Sequence, residues 1–264
     1  MVSLFKKLFK RHKKESIIIP DDEIEEESQE DILEQYRYEN RNKKLEEDGE
    51  NLNKEEPVLN GLTLTELRNA ITKKGNEIIK ELNLERFDEF KSSTLTKENV
   101  FYVSPEKRKI FEVFKYIVDN SVYDAEIIAE KRQFKEKTLD EIIIKGVYRC
   151  LCTGRGVCSC EASSMVYLLD KVGIDSSHIV ISPPDHDKSN YHSVVAFEGY
   201  KKLMIADITL LRKAREQGII KNFTVFDFCY PIDQYLTKIR PNWYIVSVAK
   251  KIQIDLTDEE SKVL

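Results

Sequence analysis

Between Ser193 and Thr209 the chain is committed to an antiparallel hairpin, and that hairpin decides which side chains can stand together. Ser193 to Glu198 is an apolar-rich, strand-like run, Gly199-Tyr200 is a two-residue turn with glycine first, and Lys201 to Thr209 reads as the returning strand. Pairing Glu198 with Lys201 sets His192 directly opposite Asp207 on one face, with Cβ atoms roughly 4.5 to 5.5 Å apart. A carboxylate in that position fixes the tautomer of the imidazole and stabilises its charged form. Asp207 also lies among Met204, Ile205, Ala206 and Ile208, where a carboxylate needs a partner to offset its burial.

Upstream, the run Gly154-Arg155-Gly156-Val157-Cys158 supplies a thiol. Met165, Val166, Leu168, Leu169 and Val172 give the next segment a helical stripe, and Gly173 gives it a stop, so a helix is expected to begin just after Cys158. A thiol at a helix N-terminus feels the positive end of the dipole, which favours the thiolate. Gly154 and Gly156 would let the backbone turn there and expose amides to a developing oxyanion. Cys158, His192 and Asp207, in that chain order, have the makings of a cysteine acyl-transfer triad. Taken singly, Cys158 would read as a buried structural thiol and His192 as an ordinary strand histidine; the hairpin spacing favours the chemical reading.

Gly156-Val157-Cys158, Ala162, Leu168-Leu169, Gly173-Ile174, Tyr191-His192 and Ala206-Asp207-Ile208-Thr209 together resemble the transglutaminase-like superfamily, directly over about 55 residues. The resemblance implies a papain-like core, with Cys158 as nucleophile, His192 as general base and acid, and Asp207 as the orienting carboxylate. The family often has an aromatic residue two places after its histidine, whereas Ser193 and Val194 follow here. Tyr148 and Gln133 are candidates to complete an oxyanion hole. The implied activity is that of a cysteine hydrolase or acyltransferase acting on a protein or peptide amide, protease or amidase being favoured over cross-linking because water is always present. No cofactor is expected.

The net charge of -5 conceals a segregation. Residues 1 to 14 carry six Lys/Arg and no acid, residues 15 to 56 carry 17 acids against five Lys/Arg, and 57 to 264 hold 31 basic and 30 acidic residues. A nearly neutral body argues against nucleic acid as a partner. No run reaches the roughly 20 apolar residues of a membrane span. Lys6 and Lys7 interrupt what would otherwise be a signal-like apolar stretch. Leu4, Phe5, Leu8 and Phe9 share a helical face opposite lysines, so this segment is expected either to touch an anionic membrane surface or to be a solvated basic tail. Five cysteines, four of them between 150 and 160, fit a reducing cytoplasm better than a disulfide framework.

The expected organisation is a basic amphipathic segment (1–14), an acidic disordered linker (15–56), a helical extension (57–100) and a transglutaminase-like domain (101–264). Leu64, Leu67, Ile71, Ile78 and Leu82 predict an amphipathic helix despite Gly75. Ser104-Pro105 opens a second helix with Ile110, Phe111, Phe114, Ile117 and Val118 as its stripe. Another is expected over Ala125 to Gln133, and Thr138 with Glu141 resembles a capping box opening a short one. Strands are expected at His178 to Ser182, Ser193 to Phe197, Leu203 to Ile208 and Trp243 to Ile254. Helices first, then a central helix bearing the Cys on an antiparallel sheet bearing His and Asp, make an α+β fold of the papain/transglutaminase-like kind.

Two other readings stay open at this level: a binding or scaffolding module with a silent triad, and a metal site. Cys150-Leu151-Cys152 and Cys158-Ser159-Cys160 could assemble four thiolates, although C-x-C suits tetrahedral ligation less well than C-x-x-C. Side chains two apart on a helix also diverge by about 200°. A disulfide capping Cys158 with Cys152 or Cys160 is a redox variant of the same idea. His178 and His186 are alternative bases, His186 in a polar loop, and Asp185 with Asp187 falls short of a calcium loop. Cys229, Trp243, Phe223, Phe226 and Phe228 read as core.

Overall fold

The computed structural model describes residues 57–84, 105–127, 138–184, 190–199, 202–221, 228–249, 252 and 254. The segments 1–14 and 15–56, Ser104, Gln133, His186, Tyr200, Lys201, Phe223 and Phe226 lie outside the described residues, as does most of the helix expected over Ala125 to Gln133.

Thr63 starts the first helix, α1 (Leu64–Glu81), through a reciprocal box: its hydroxyl accepts from the Glu66 N–H at 3.2 Å and its own N–H donates to the Glu66 carboxylate at 2.8 Å. Leu67, Ile71 and Ile78 are buried at the spacing read from the sequence, and Gly75 falls on the same stripe. A Cβ there would lie 2.9 Å from Cε1 of the buried Tyr167, so the glycine that weakens the helix is what admits a neighbouring ring. The second helix, α2 (Pro105–Asn120), has proline in its first turn and buries Ile110, Val113, Phe114, Ile117 and Val118. It leads into β1 (Val122–Tyr123).

Thr138 caps α3 (Leu139–Thr153), accepting from the Glu141 N–H at 3.2 Å, while the Glu141 carboxylate pairs with Lys145 at 2.5 Å. Expected to be short, this helix runs 15 residues and ends at Gly154 in the left-handed region (φ 68°). The chain then forms β2 (Arg155–Gly156), parallel to β1, and enters α4 (Cys158–Lys171). Every residue of α4 from Cys160 to Leu169 is buried, so this helix is the centre of the unit formed by residues 57–264, with α2, α3 and the sheet around it. Gly173 (φ 74°) stops it as expected, its N–H and that of Ile174 returning to the carbonyls of Asp170 and Leu169.

The main sheet contains β3 (Ser176–Ser182), β4 (His192–Gly199), β5 (Lys202–Ala206), β6 (Tyr230–Pro231) and β7 (Tyr244–Ala249), in the order β6-β5-β4-β3-β7 and antiparallel throughout. Between β5 and β6 lies α5 (Ile208–Glu216), and between β6 and β7 a short α6 (Ile232–Gln234) runs on as a π-helical turn, Tyr235–Ile239. β4 is buried at every position from His192 to Phe197, so both faces of the sheet are covered. Phe228 is core as expected, its ring 5.4 Å from Phe111, 5.3 Å from Phe114 and 6.1 Å from Phe197. Helices preceding a central helix that packs on an antiparallel sheet make the architecture α+β. No helix among the described residues is long and apolar enough to cross a membrane.

Two details of the hairpin differ from the sequence reading. Gly199 pairs with Lys202 and Val195 with Ala206, so the register is displaced by two residues and His192 and Asp207 are not directly opposite. The returning strand also stops at Ala206, because Asp207 caps α5 by accepting from the Leu210 N–H at 2.9 Å. Helix capping competes with strand extension for Asp207, and at this position it wins.

Candidate active site

Three elements meet at one point: the N-terminus of α4, the first residue of β4 and the N-cap of α5. Cys158 is the first residue of α4, preceded by Val157 as an N-cap with no side-chain hydrogen bond. Val157 has no side-chain oxygen to offer the first-turn amides, as a Ser, Thr or Asp in this place would. Gly154 closes the preceding helix, while Gly156 is extended; a Cβ on Gly156 would lie 3.1 Å from the Cβ of Cys160. Its part is therefore close approach of β2 to α4 rather than a turn.

The Cys158 sulfur hydrogen-bonds the His192 ring and accepts the backbone N–H of Ser193. Burial alone would push this thiol up, but the His192 bond, the His192 charge and the Ser193 amide outweigh it, holding the thiol below its ordinary range. His192 donates through Nε2 to Oδ1 of Asp207 at 2.9 Å, which leaves Nδ1 for the sulfur. Burial opposes the imidazolium, yet Asp207 and Cys158 together raise the ring to about 9. Asp207 has no exposed surface, and burial would raise it too; the His192 charge and hydrogen bond, the Tyr235 hydroxyl and the Leu210 amide keep it below the usual carboxylate range. The arrangement favours a thiolate, an imidazolium and a carboxylate in a row.

Several groups around these three carried no sequence signal strong enough to name them. Tyr235 donates its hydroxyl to Oδ2 of Asp207 at 2.5 Å, and Arg240 Nη2 stands 3.8 Å from the same oxygen. Trp243, expected in the core, is half-buried and carries the Arg240 guanidinium over its ring at 4.8 Å. Glu161, one turn along α4 from Cys158, is fully buried; it accepts from Arg212 Nη1 and, at 2.8 Å, from the Thr209 hydroxyl. Arg212 Nη2 continues to the Ser121 hydroxyl at 2.7 Å, and Ser121 donates to the Ile117 carbonyl at 2.6 Å. The available signal was one of misplacement for Glu161, a charge just before the apolar run Met165 to Leu169; Arg212, followed by Lys213, Arg215 and Glu216, carried none.

The remaining sequence candidates fall elsewhere. His178 faces Ser163 Oγ through Nδ1 at 3.1 Å and lies in the middle of the sheet, paired with Val195 and Ala249. Tyr148 is half-buried on α3, whereas Tyr123, half-buried on β1, is within electrostatic reach of Cys158 and has Lys213 Nζ 5.5 Å from its ring centre. Cys150 and Cys160 are buried and Cys152 is half-buried; burial pushes the thiols of Cys150 up to about 12 and Cys152 up to about 11. All five cysteines are free, and no three His, Cys, Asp or Glu among the described residues converge to hold a metal ion, which removes the four-thiolate arrangement.

No family model matches this chain, and neither does any curated protein. Among solved structures, one described as the crystal structure of a TGase is similar at 12% sequence identity with a TM-score of 0.36, over 68% of this chain and 38% of that one. This chain thus spans well under half the length of that structure.

Proposed function

We propose that the chain is a transglutaminase-like cysteine hydrolase or acyltransferase that cleaves an amide, with Cys158 as nucleophile, His192 as general base and acid, and Asp207 as the carboxylate that orients His192. The observation that carries this reading is the His192 Nε2 to Asp207 Oδ1 hydrogen bond at 2.9 Å, with the His192 ring also holding the Cys158 thiol down. The Cys158 thiolate adds to the carbonyl carbon of the amide, and the oxyanion that forms lies toward the first turn of α4. We add Tyr123 to Tyr148 and Gln133 as a side chain to complete that oxyanion site, because β1 sets it beside Gly156, two residues before Cys158. The tetrahedral adduct collapses as His192 passes its proton to the departing amine, leaving a thioester on Cys158. His192 then takes a proton from water, the hydroxide displaces the sulfur, and a carboxylic acid is released. Hydrolysis is the favoured outcome, on a protein or peptide amide.

Alkylation by iodoacetamide, mapped to each cysteine by peptide mass, tests this without a known substrate. Cys158 is expected to react well below about pH 8, and His192→Ala to slow it, relative to an ordinary thiol near 8.5. An ordinary profile for Cys158 that ignores His192→Ala would refute the proposal.

A further inference from the structure

Asp207 has no exposed surface, so no solvent shares its charge, and each oxygen has its own donors. Oδ1 accepts from His192 Nε2 and the Leu210 N–H, while Oδ2 accepts from the Tyr235 hydroxyl at 2.5 Å and faces Arg240 Nη2 at 3.8 Å. Both groups on Oδ2 come from one unusual piece of backbone. In the π-helical turn Tyr235–Ile239 the Arg240 N–H reaches the Tyr235 carbonyl at 2.8 Å, a five-residue step that sets these two residues over each other. Arg240 also acts electrostatically on the Tyr235 hydroxyl, and its guanidinium carbon stands 4.8 Å from the Trp243 ring centre.

We propose that Tyr235 and Arg240 are positioning residues: carried together by the π-helical turn, they clamp Oδ2 of Asp207 so that it stays ionised and keeps Oδ1 on His192 through the whole reaction. This rests on the triad reading of Asp207 given above. The need arises at one step. While His192 is an imidazolium, Asp207 has a cation beside it; once His192 has given its proton to the leaving amine, that cation is gone. A buried carboxylate left with neutral neighbours takes up a proton, and a neutral Asp207 could not restore the imidazolium. Arg240 supplies a guanidinium 3.8 Å from Oδ2, and the Tyr235 hydroxyl, raised by burial and by Asp207, remains a donor. The other charged and titratable groups facing this centre are Cys158 and Glu161 on α4, Arg212 on α5, His192 on β4 and Tyr123 on β1.

The test is the pH profile of Cys158 alkylation by iodoacetamide in the full chain, comparing wild type, Tyr235→Phe, Arg240→Met, Arg240→Lys and His192→Ala, each with a thermal melt. Without the hydroxyl or the guanidinium on Oδ2, Asp207 is held less firmly as a carboxylate, it supports the His192 imidazolium less, and the Cys158 thiol rises. A shift of about one pH unit would make Tyr235→Phe and Arg240→Met react about tenfold more slowly at about pH 6, with the plateau rate at high pH retained. Arg240→Lys should recover most of that loss. A merely structural pair would lower the melting temperature and leave the midpoint where it is. If wild-type Cys158 has a low midpoint that His192→Ala abolishes, yet folded Tyr235→Phe and Arg240→Met keep it, this inference fails and the triad stands. If the wild-type midpoint is ordinary and indifferent to His192, both fail. Should Tyr235→Phe not fold, Arg240→Met decides, its side chain being partly exposed.

Discussion

Replacing Arg212 with Met should make the protein's stability strongly pH-dependent. Arg212 is 3% exposed and Glu161 fully buried; the substitution keeps an unbranched apolar stem but removes the donors to Glu161 and to the Ser121 hydroxyl, leaving Glu161 with the Thr209 hydroxyl. Breaking a buried ion pair from one side costs about 3 to 5 kcal/mol, because the remaining charge is uncompensated. For a domain of this size that is a fall in melting temperature of about 6 to 20 °C. Burial already raises the Glu161 carboxyl, with Arg212 the main opposing influence, so the variant raises it further. A carboxyl raised in the folded state favours folding below its unfolded value and loses that contribution as pH rises through the folded value. The penalty of Arg212→Met should therefore be full at about pH 8 and shrink toward about pH 5, where Glu161 can be protonated. Urea unfolding at the two values measures it, and Glu161→Met added to Arg212→Met should restore much of the loss. Equal destabilisation at both values, or a double variant weaker than the single one, would refute the view that an uncompensated Glu161 charge is the cause.

The pair His192 and Asp207 has its own signature. His192 is raised in the folded state to about 9, so its contribution to stability is full below its unfolded value of about 6.5 and is lost as pH rises through the folded one. Asp207 is lowered, so its contribution is present above the unfolded carboxylate value and is lost as pH falls through the folded one. The stability difference between wild type and His192→Ala, followed by urea midpoint, should thus narrow between about pH 6.5 and about pH 9; a flat difference would contradict the charged pair. Gly75→Ala should destabilise, because its Cβ would meet Tyr167 Cε1 at 2.9 Å. Overpacking of about 1 to 3 kcal/mol should exceed the helix-propensity gain of about 1 kcal/mol, a net fall in melting temperature that an unchanged or higher value would disprove.

The apolar periodicity that predicted α1 and α2, and the glycine that stops α4, were legible because each reports a local rule: burial at steps of three and four, and a left-handed residue after the last turn. The hairpin was legible as a hairpin but not in its register, since Gly199 pairs with Lys202 instead of Glu198 with Lys201. A displacement of two residues keeps every side chain on its face. The ladder itself ends at Val195 with Ala206, so Asp207 meets His192 as the cap of α5 just past the strand, not as a partner within the sheet. What no local pattern could announce is the second layer. Tyr235, Arg240 and Arg212 lie 28, 33 and 5 residues beyond Asp207, and what brings them to the site is a π-helical step and a buried ion pair, both of which depend on tertiary contacts. Trp243 misled for a related reason, as a large aromatic ring is also what holds a guanidinium in place at a half-exposed rim.

The geometry of the site follows from two helix beginnings. Cys158 opens α4 and Asp207 caps α5, so each of the two groups that must be negative sits where the unsatisfied amides of a helix favour negative charge. His192, between them on β4, is the cation that both require. Such a row is only as good as the alignment of the two helices, and the first turns are joined directly: Glu161 of α4 is bonded to Thr209 and Arg212 of α5. A slide of one helix along the other would have to break that buried pair before it could draw the sulfur away from the imidazole. The same contacts therefore govern folding stability and the distance on which the proposed chemistry depends, so a variant that loosens Glu161 from Arg212 should slow Cys158 alkylation even where the protein remains folded.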